Sequence, residues 1–455
     1  MIVLCVAGES FDEQHDASGE TKDTKFYITF SLRKIKNAPG GPRNVFHLVV
    51  DGGTPGAKKK KKRGLSDAEF RELEKGIQEV YPWISVTLCQ AHSCDLLLEG
   101  IFKLPEFADV LAKGKRIKNF IKLYQALLAE FRRLSPYTLT DFDTTRFLYA
   151  ALHCENIEEC HNAIVSLFHG AVFQAWKVRQ VKRGAKGQAA LQESAAVLAI
   201  VTDLNYWSFN KAARQCTHPI CQMVRLCDGR KPNMGDIAES WFQMGQRIKE
   251  LPQHTAISPA RAKAIEELWE DRWSYAHHHL HSAGYALNPN FIKVHMFDIP
   301  YVMEGLQETM RVIFKAHPLG ETAYENALRE FNVFKACQGV YGRASTQSMI
   351  GKLPNYQWWQ QYGAGTPYLQ WAAIRILAMV ASSSASERHY SKLGWMKGKL
   401  RNRLANDKVQ KMMFVHYNLL MEDRVLDPKY MEEPVHTAIG ESMVDVEISV
   451  SAYLC

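Results

Sequence analysis

No apolar run in this 455-residue chain is long enough to span a bilayer. The longest, Tyr368 to Ala381, is broken by Gln370 and Arg375 and falls short of the roughly 20 residues a membrane helix needs. The opening Met1-Ile-Val-Leu-Cys-Val-Ala-Gly is too short for a secretory signal and lacks its basic flank. The ten cysteines are scattered and form no dense framework, which points to reduced thiols in a nuclear or cytosolic protein. No internal repeat is found, and no Cys-x-x-Cys with downstream histidines precedes residue 89. An excess of one charge sign is also scarce. The formal +8 is carried mostly by Lys58, Lys59, Lys60, Lys61, Lys62 and Arg63, and the rest of the chain is nearly neutral. A nucleic-acid partner is therefore permitted by the charge balance without being demanded by it.

What is present is a short strand-forming beginning followed by a long helical body. Ile2 to Val6 and Val45 to Val50 are β-branched runs suited to strands, and the second ends in Asp51-Gly-Gly-Thr-Pro-Gly, which reads as loop. Ser66-Asp-Ala-Glu69 opens a helix as a capping box. Ile84 to Leu88 then gives a strand–helix–strand pattern compatible with a parallel βαβ unit. From Ala91 to about residue 335, apolar residues such as Ile117, Phe120, Ile121, Tyr124, Leu127 and Leu128 recur at helical spacing. A loop rich in Gly, Gln and Tyr is expected over 338–367, helices near 368–380, 385–397 and 407–420, and a poorly ordered tail from Glu422.

Several residues are candidates for chemistry, each with a plainer alternative. Asp51 ends a strand, where open α/β sheets place their sites, yet Asp before Gly-Gly is also a common turn former. Cys89-x-x-His92 supplies half of a tetrahedral metal site, or simply starts a packed helix. Cys216-x-His218-x-x-Cys221-x5-Cys227 has irregular spacing and no second half. His277, His278, His279 and His281 would point in different directions on a helix and read as surface histidines. Glu387 stands at the fourth position of Ser384-x-x-Glu387, itself a capping box. Lys58 to Arg63 reads as a nuclear-import signal, a phosphate-contacting loop or a solvated charge run.

The stretch Ser384-Ala-Ser-Glu-Arg-His-Tyr-Ser391, with Gly394 and Arg401-Asn-Arg-Leu404, resembles the C-terminal dimerisation region of hAT-family transposases. That resemblance implies a mixed α/β, predominantly α chain: an incomplete RNase H-like core interrupted by a large all-helical insertion. The expected divisions are 1–110 for the partial core, 111–337 for the insertion, 338–422 for the dimerisation region and 423–455 for the tail. Asp51 and Glu387 then correspond to the second and third acidic metal ligands, with Cys89, His92 and Arg388 as supporting residues. Thr145-Arg146-Phe147 is similar to a family Thr-Arg-Trp element lying near DNA, with Phe147 replacing the Trp but still able to stack on a base. Ala286-Leu-Asn-Pro289 is similar to a family passage that physically reads as a helix ended before Pro289.

The family's first Asp and its BED-type finger would lie upstream of the segment matched here, so the acidic set is incomplete and Mg2+ or Mn2+ enters only with a complete core. Without the family's first strand, Ile2 to Val6 is expected to lose its neighbours and Val45 to Val50 to keep an open edge. The expected function is that of an hAT transposase-derived, catalytically incomplete protein acting as a homodimer, with possible DNA binding, in the nucleus and without a membrane role. An active transposase with its N-terminus outside this sequence, and a helical adaptor without a nucleic-acid role, are the alternatives. The dimer helix is arguable from residues alone: Val409, Met412, Met413, His416, Leu419 and Leu420 fall on one face, with Leu404 preceding them.

Overall fold

A computed structural model describes residues 2–6, 9–11, 23–38, 40–52, 66–142, 148–229, 231–292 and 299–383, with helical positions at Lys408, Lys411, Met412 and Val415. The described chain is predominantly helical, with one small sheet. It divides into two compact units. Of the described residues, the first takes those up to Ser93, Met223–Trp241 and Trp273 to Ser383; the second takes those within Cys94–Gln222 and Phe242–Arg272.

In the first unit the strands are β1 (Ile2–Val6), β2 (Glu9–Phe11), β3 (Val45–Val50) and β4 (Ser85–Leu88), in the order β2-β1-β3-β4. β3 and β4 run parallel, from His47 opposite Ser85 to Val50 opposite Leu88, so the βαβ expectation holds through helix Asp67–Gln78. The expected loss of strand neighbours does not occur. β1 forms a hairpin with β2 and pairs antiparallel with β3, Ile2 opposite Val50, which closes the β3 edge. Every residue of β3 and β4 is buried, as parallel strands covered on both faces require.

Helices Thr24–Lys36 and Asp67–Gln78 cover one face through Ile35, Leu73 and Ile77, packed with Val45, Leu48, Val50, Val86 and Leu88. The capping box forms as the sequence predicts: the Ser66 amide donates to Glu69 Oε2 at 2.8 Å, an arrangement worth about 1 kcal/mol. Asp23 caps the first helix, its Oδ1 accepting from the Phe26 amide at 2.8 Å.

Helices His279–Leu287 and Pro300–Ile313 pack closely. Two glycines permit close approaches around them: a Cβ on Gly284 would fall 2.5 Å from the Met234 carbonyl oxygen, and one on Gly305 2.5 Å from Ser282 Cβ. The expected loop over 338–367 is instead a set of short helical turns, with helix Asn355–Tyr362 among them. Apolar content explains the difference. Trp358 and Trp359 are fully buried against Phe334 and Tyr341, and Trp359 Nε1 donates to the Leu287 carbonyl at 2.8 Å. Helix Pro367–Leu377 follows, as predicted.

Among its described residues the second unit is built from helices and the loops that join them, with no strand. Phe107, Phe131, Phe168, Phe173 and Trp176 are among its large buried side chains, and Ile117, Phe120, Ile121 and Leu127, whose recurrence predicted helices, are buried as well. Helices Ala171–Val181 and Gly184–Val201 form a hairpin turned at Gly184, whose φ is +61°. Gly187 is required there: a Cβ would fall 1.8 Å from the Gln180 carbonyl oxygen.

Candidate functional site

Parallel β3 and β4 deliver their carboxyl ends to one edge of the sheet, placing Asp51 after the first and Cys89 after the second. The ladder continues one step further, because the Cys89 amide donates to the Val50 carbonyl at 2.8 Å. A third segment joins this edge after helix Pro367–Leu377. The Gln90 amide donates to the Ala381 carbonyl at 2.9 Å, and the Ala381 amide donates to Asn233 Oδ1 at 2.8 Å. Ser382 and Ser383 are thereby held against the strand ends. Ser383 Oγ donates to Asp51 Oδ1 at 2.8 Å, the Ser383 amide donates to Cys89 Sγ at 3.4 Å, and Ser382 Oγ lies 3.4 Å from the same sulfur.

Chemically this edge is a closed hydrogen-bonded cluster. Cys89, Ser382 and Ser383 are all buried. Burial, and secondarily the Asp51 carboxylate, push the Cys89 thiol above its ordinary range, so at neutral pH it is a thiol and a poor nucleophile or metal ligand. Gln90, fully buried, uses both ends of its amide: Nε2 donates to the Leu88 and Ala276 carbonyls at 3.1 and 3.0 Å, and Oε1 accepts from Trp241 Nε1 at 2.9 Å. His92 sits one turn further along helix Gln90–Ile101 and is also buried. Among the described residues no three His, Cys, Asp or Glu side chains gather into a group that would hold a metal ion. Asp51, Cys89 and His92 are therefore neighbours in the fold without forming such a group.

Of the histidine run only His279 is exposed, as expected of surface histidines. His281 is fully buried, and His277 is held down to about 4 by burial, then by His278 and His279. His278 is the N-cap of helix His279–Leu287: its ring Nδ1 accepts from the Leu280 amide at 3.0 Å, and its own amide donates to His281 Nδ1 at 3.1 Å. The run is a reciprocal helix cap built from imidazoles, a structural use the periodicity argument did not consider. In the same unit His47 shares a 2.7 Å hydrogen bond with Thr87 Oγ1, and burial lowers its pKa to about 3.

The helix before Pro289 ends at Leu287 as expected, and Asn288 then ties it inward. Its Nδ2 donates to the Gly235 carbonyl and to Asp236 Oδ1, both at 3.0 Å. Burial raises the Asp236 carboxyl to about 7 despite that donor. The irregularly spaced cysteines share one helix: Cys216, Cys221 and Cys227 lie along Leu204–Asp228, and all three are buried. In the helical unit a cleft of about 560 Å3 is lined by Glu106, Asp109, Asp203 and Tyr206 among others. It contains none of the predicted site residues, and its carboxylates are committed: Glu106 to Arg261, Asp109 to Lys113 at 2.7 Å, and Asp203 to the Asn205 amide at 2.9 Å.

Lys58, Lys59, Lys60, Lys61, Lys62, Arg63, Arg146, Phe147, Glu387, Arg388, Leu404, Val409, Met413, His416, Leu419 and Leu420 lie outside the described residues. Met412 is helical, and its side chain is 44% exposed in the single chain.

Residues 342–419 match the family model for the hAT family C-terminal dimerisation region. The matched segment takes in Trp358, Trp359, helix Pro367–Leu377, the Ser382–Ser383 pair and Met412. The matched segment thus includes the two serines that bond Asp51 and Cys89 at the strand edge. A search of curated proteins found no match. No described helix is long and apolar enough to cross a membrane. Ser382, Ser383, Gln90 and Asn233 were invisible to motif reading, since each acts through a partner distant in sequence. Ser382 and Ser383 had one signal, the serine run directly after a predicted helix, and Gln90 and Asn233 had none.

Proposed function

We propose that this chain is an hAT transposase-derived protein that works by self-association through residues 342–419, contacts DNA, and has a catalytically incomplete core. The observation that carries the reading is the dimerisation-region match, whose amphipathic stripe includes the exposed Met412. An apolar face of this kind gains stability when covered by a second copy. RNase H-like ancestry of the α/β unit is supported by the parallel β3–β4 pair, the helix between its strands and the antiparallel strand beside β3. Asp51 keeps the place of an acidic ligand at the strand end. Ser383, four residues before Glu387 in the chain, is already bonded to it. Lys58 to Arg63 supports DNA contact and nuclear import in the same reading.

Light scattering across a concentration series tests the association. The wild-type chain is expected at twice the monomer mass, and the double variant Met412→Glu with Leu419→Glu at the monomer mass. A dimer that survives both substitutions sinks the assignment of this face. Catalytic incompleteness is tested separately with supercoiled DNA and Mg2+ or Mn2+. Nicking that disappears in Asp51→Asn or Glu387→Gln would show an active nuclease, whereas no nicking by any of the three proteins supports the proposal.

A further inference from the structure

The helical unit carries a second concentration of positive charge, separate in sequence from Lys58 to Arg63. Between Glu159 and Glu193 there is no acidic residue, while Lys177, Arg179, Lys182, Arg183 and Lys186 crowd the turn of the hairpin described above. Glu193, where the acid-free stretch ends, is itself neutralised by a two-point contact with Arg116 at 2.7 Å. Lys177 packs its ammonium over the Phe173 ring. Arg179, Lys182, Arg183 and Lys186 are exposed, and among the described residues none of the four has an ion-pair partner. Arg183 bonds only the neutral Gln180 side chain, at 3.3 Å. Several other cations of the same unit are neutralised, Lys113 by Asp109, Lys118 and Lys122 by Asp141, Arg133 by Glu130, Lys249 by Glu266 and Arg261 by Glu106, while exposed cations such as Arg132, Lys211 and Lys263 lie outside any such cluster.

Helix stability does not account for the arrangement. A cation at Arg179, in the last turn of its helix, suits the helix dipole. Arg183 and Lys186, however, occupy the N-cap and first turn of Gly184–Val201, where no acidic residue offsets them and the dipole disfavours positive charge. Mutual repulsion of four clustered cations adds to that cost.

We propose that the turn of this hairpin is a nucleic-acid surface, with Arg179, Lys182, Arg183 and Lys186 contacting the phosphate backbone. The proposal rests on the DNA-binding reading given above and adds a second contact surface to it. Unneutralised, closely spaced cations on a rigid helical element match a regularly charged polyanion, and their binding energy comes from counterion release. An anionic bilayer fits less well. The apolar residues interleaved with these cations are Val178 and Val181, exposed at 60 and 69%, and two valines without an aromatic or leucine offer little area to insert.

The test is fluorescence anisotropy of a labelled DNA duplex of arbitrary sequence, titrated with the full chain at several salt concentrations. One variant combines Arg179→Gln, Lys182→Gln, Arg183→Gln and Lys186→Gln. A control removes the same charge from the exposed Lys103, Arg132, Lys211 and Lys263 of the same unit. The hairpin variant is expected to bind at least about tenfold more weakly, with the slope of log affinity against log salt shallower by about 3 to 4, while the control stays near wild type. The single reversal Lys186→Glu should move both quantities in the same direction, and matching far-ultraviolet circular dichroism confirms that all variants are folded. A hairpin variant indistinguishable from the control overturns this surface and leaves the DNA-binding reading standing. Absence of duplex binding by the wild-type chain at low salt overturns both. Binding to phosphatidylserine vesicles that the hairpin variant loses, with no duplex binding, reassigns the surface to membranes and overturns the proposal.

Discussion

The strand edge at Asp51 and the hairpin turn at Lys182 are both dense in polar side chains, and they differ in whether those groups have been answered. At the edge, Ser383 meets Asp51, Ser382 and the Ser383 amide meet Cys89, and Gln90 uses its whole amide on buried partners. At the turn, Arg179, Lys182, Arg183 and Lys186 stand exposed with no ion-pair partner among the described residues. A buried polar group left unmet costs far more than an exposed one, so the edge had to close on itself while the turn did not. At the strand edge Asp51, Cys89 and Gln90 are thus bonded within their own unit, whereas the turn presents exposed cations.

The largest expected effect tests what keeps the edge closed. Trp359 is fully buried and anchors the segment leading to Ser383 through its bond to Leu287. Trp359→Ala should cost about 3–5 kcal/mol in urea unfolding followed by circular dichroism, and a loss below about 1 kcal/mol would mean the packing there is dispensable.

Acid should separate the two regions next. His47 and His277 are neutral in the fold, with pKa values lowered to about 3 and about 4, chiefly by burial. Because the folded values lie below the unfolded value near 6.5, their contribution is intact above that pH and is lost as pH falls toward the folded values. For His47 the loss between pH 6.5 and 4.5 is about 2 kcal/mol, measurable as a falling urea midpoint that His47→Gln should flatten. Asp236 runs in the opposite sense. Its folded value, raised to about 7 by burial, makes its contribution full below the unfolded carboxylate range and progressively lost up to pH 7. Asp236→Asn should therefore raise stability at pH 8 relative to pH 5, and an unchanged pH profile would remove Asp236 from the account.

A smaller effect is expected at the edge itself. Ser383→Ala removes the donor to Asp51 and should cost about 1 kcal/mol, read in the same unfolding assay. Smallest of all, Lys182→Gln or Lys186→Gln on the open turn should leave the urea midpoint within about 0.5 kcal/mol of wild type. A marked gain in stability there would instead indicate that like-charge repulsion strains the hairpin, which would sharpen the contrast with the closed edge.

Much of the fold was legible because local signals sufficed. Val45 to Val50 reads as a strand from its β-branched run, and Ser66 with Glu69 as a helix start from spacing alone. The Ser-Glu-Arg and Arg-Asn-Arg-Leu pattern likewise falls within the matched dimerisation region. The histidine run departs from the surface expectation because His278 lies outside the helix it starts, so its ring turns back to meet the Leu280 amide. The 338–367 stretch was misjudged because Gly and Gln suggested a loop while Tyr341, Trp358 and Trp359 supplied the apolar area to fold it.

The sequence by itself determined the strand–helix–strand pattern from Val45 to Leu88, the helical character of the long body, where the charge lies, and the dimerisation pattern towards the C-terminal end. These follow from periodicity, caps and motif spacing, all of which act over a few residues. Only the tertiary structure decided that β1 closes the edge of β3, that Ser382 and Ser383 reach Cys89 and Asp51, and that Asn288 meets Asp236. Those contacts join segments far apart in the chain. Their partners are chosen by which buried polar groups still need hydrogen bonds after the core has packed, and no local pattern encodes that choice.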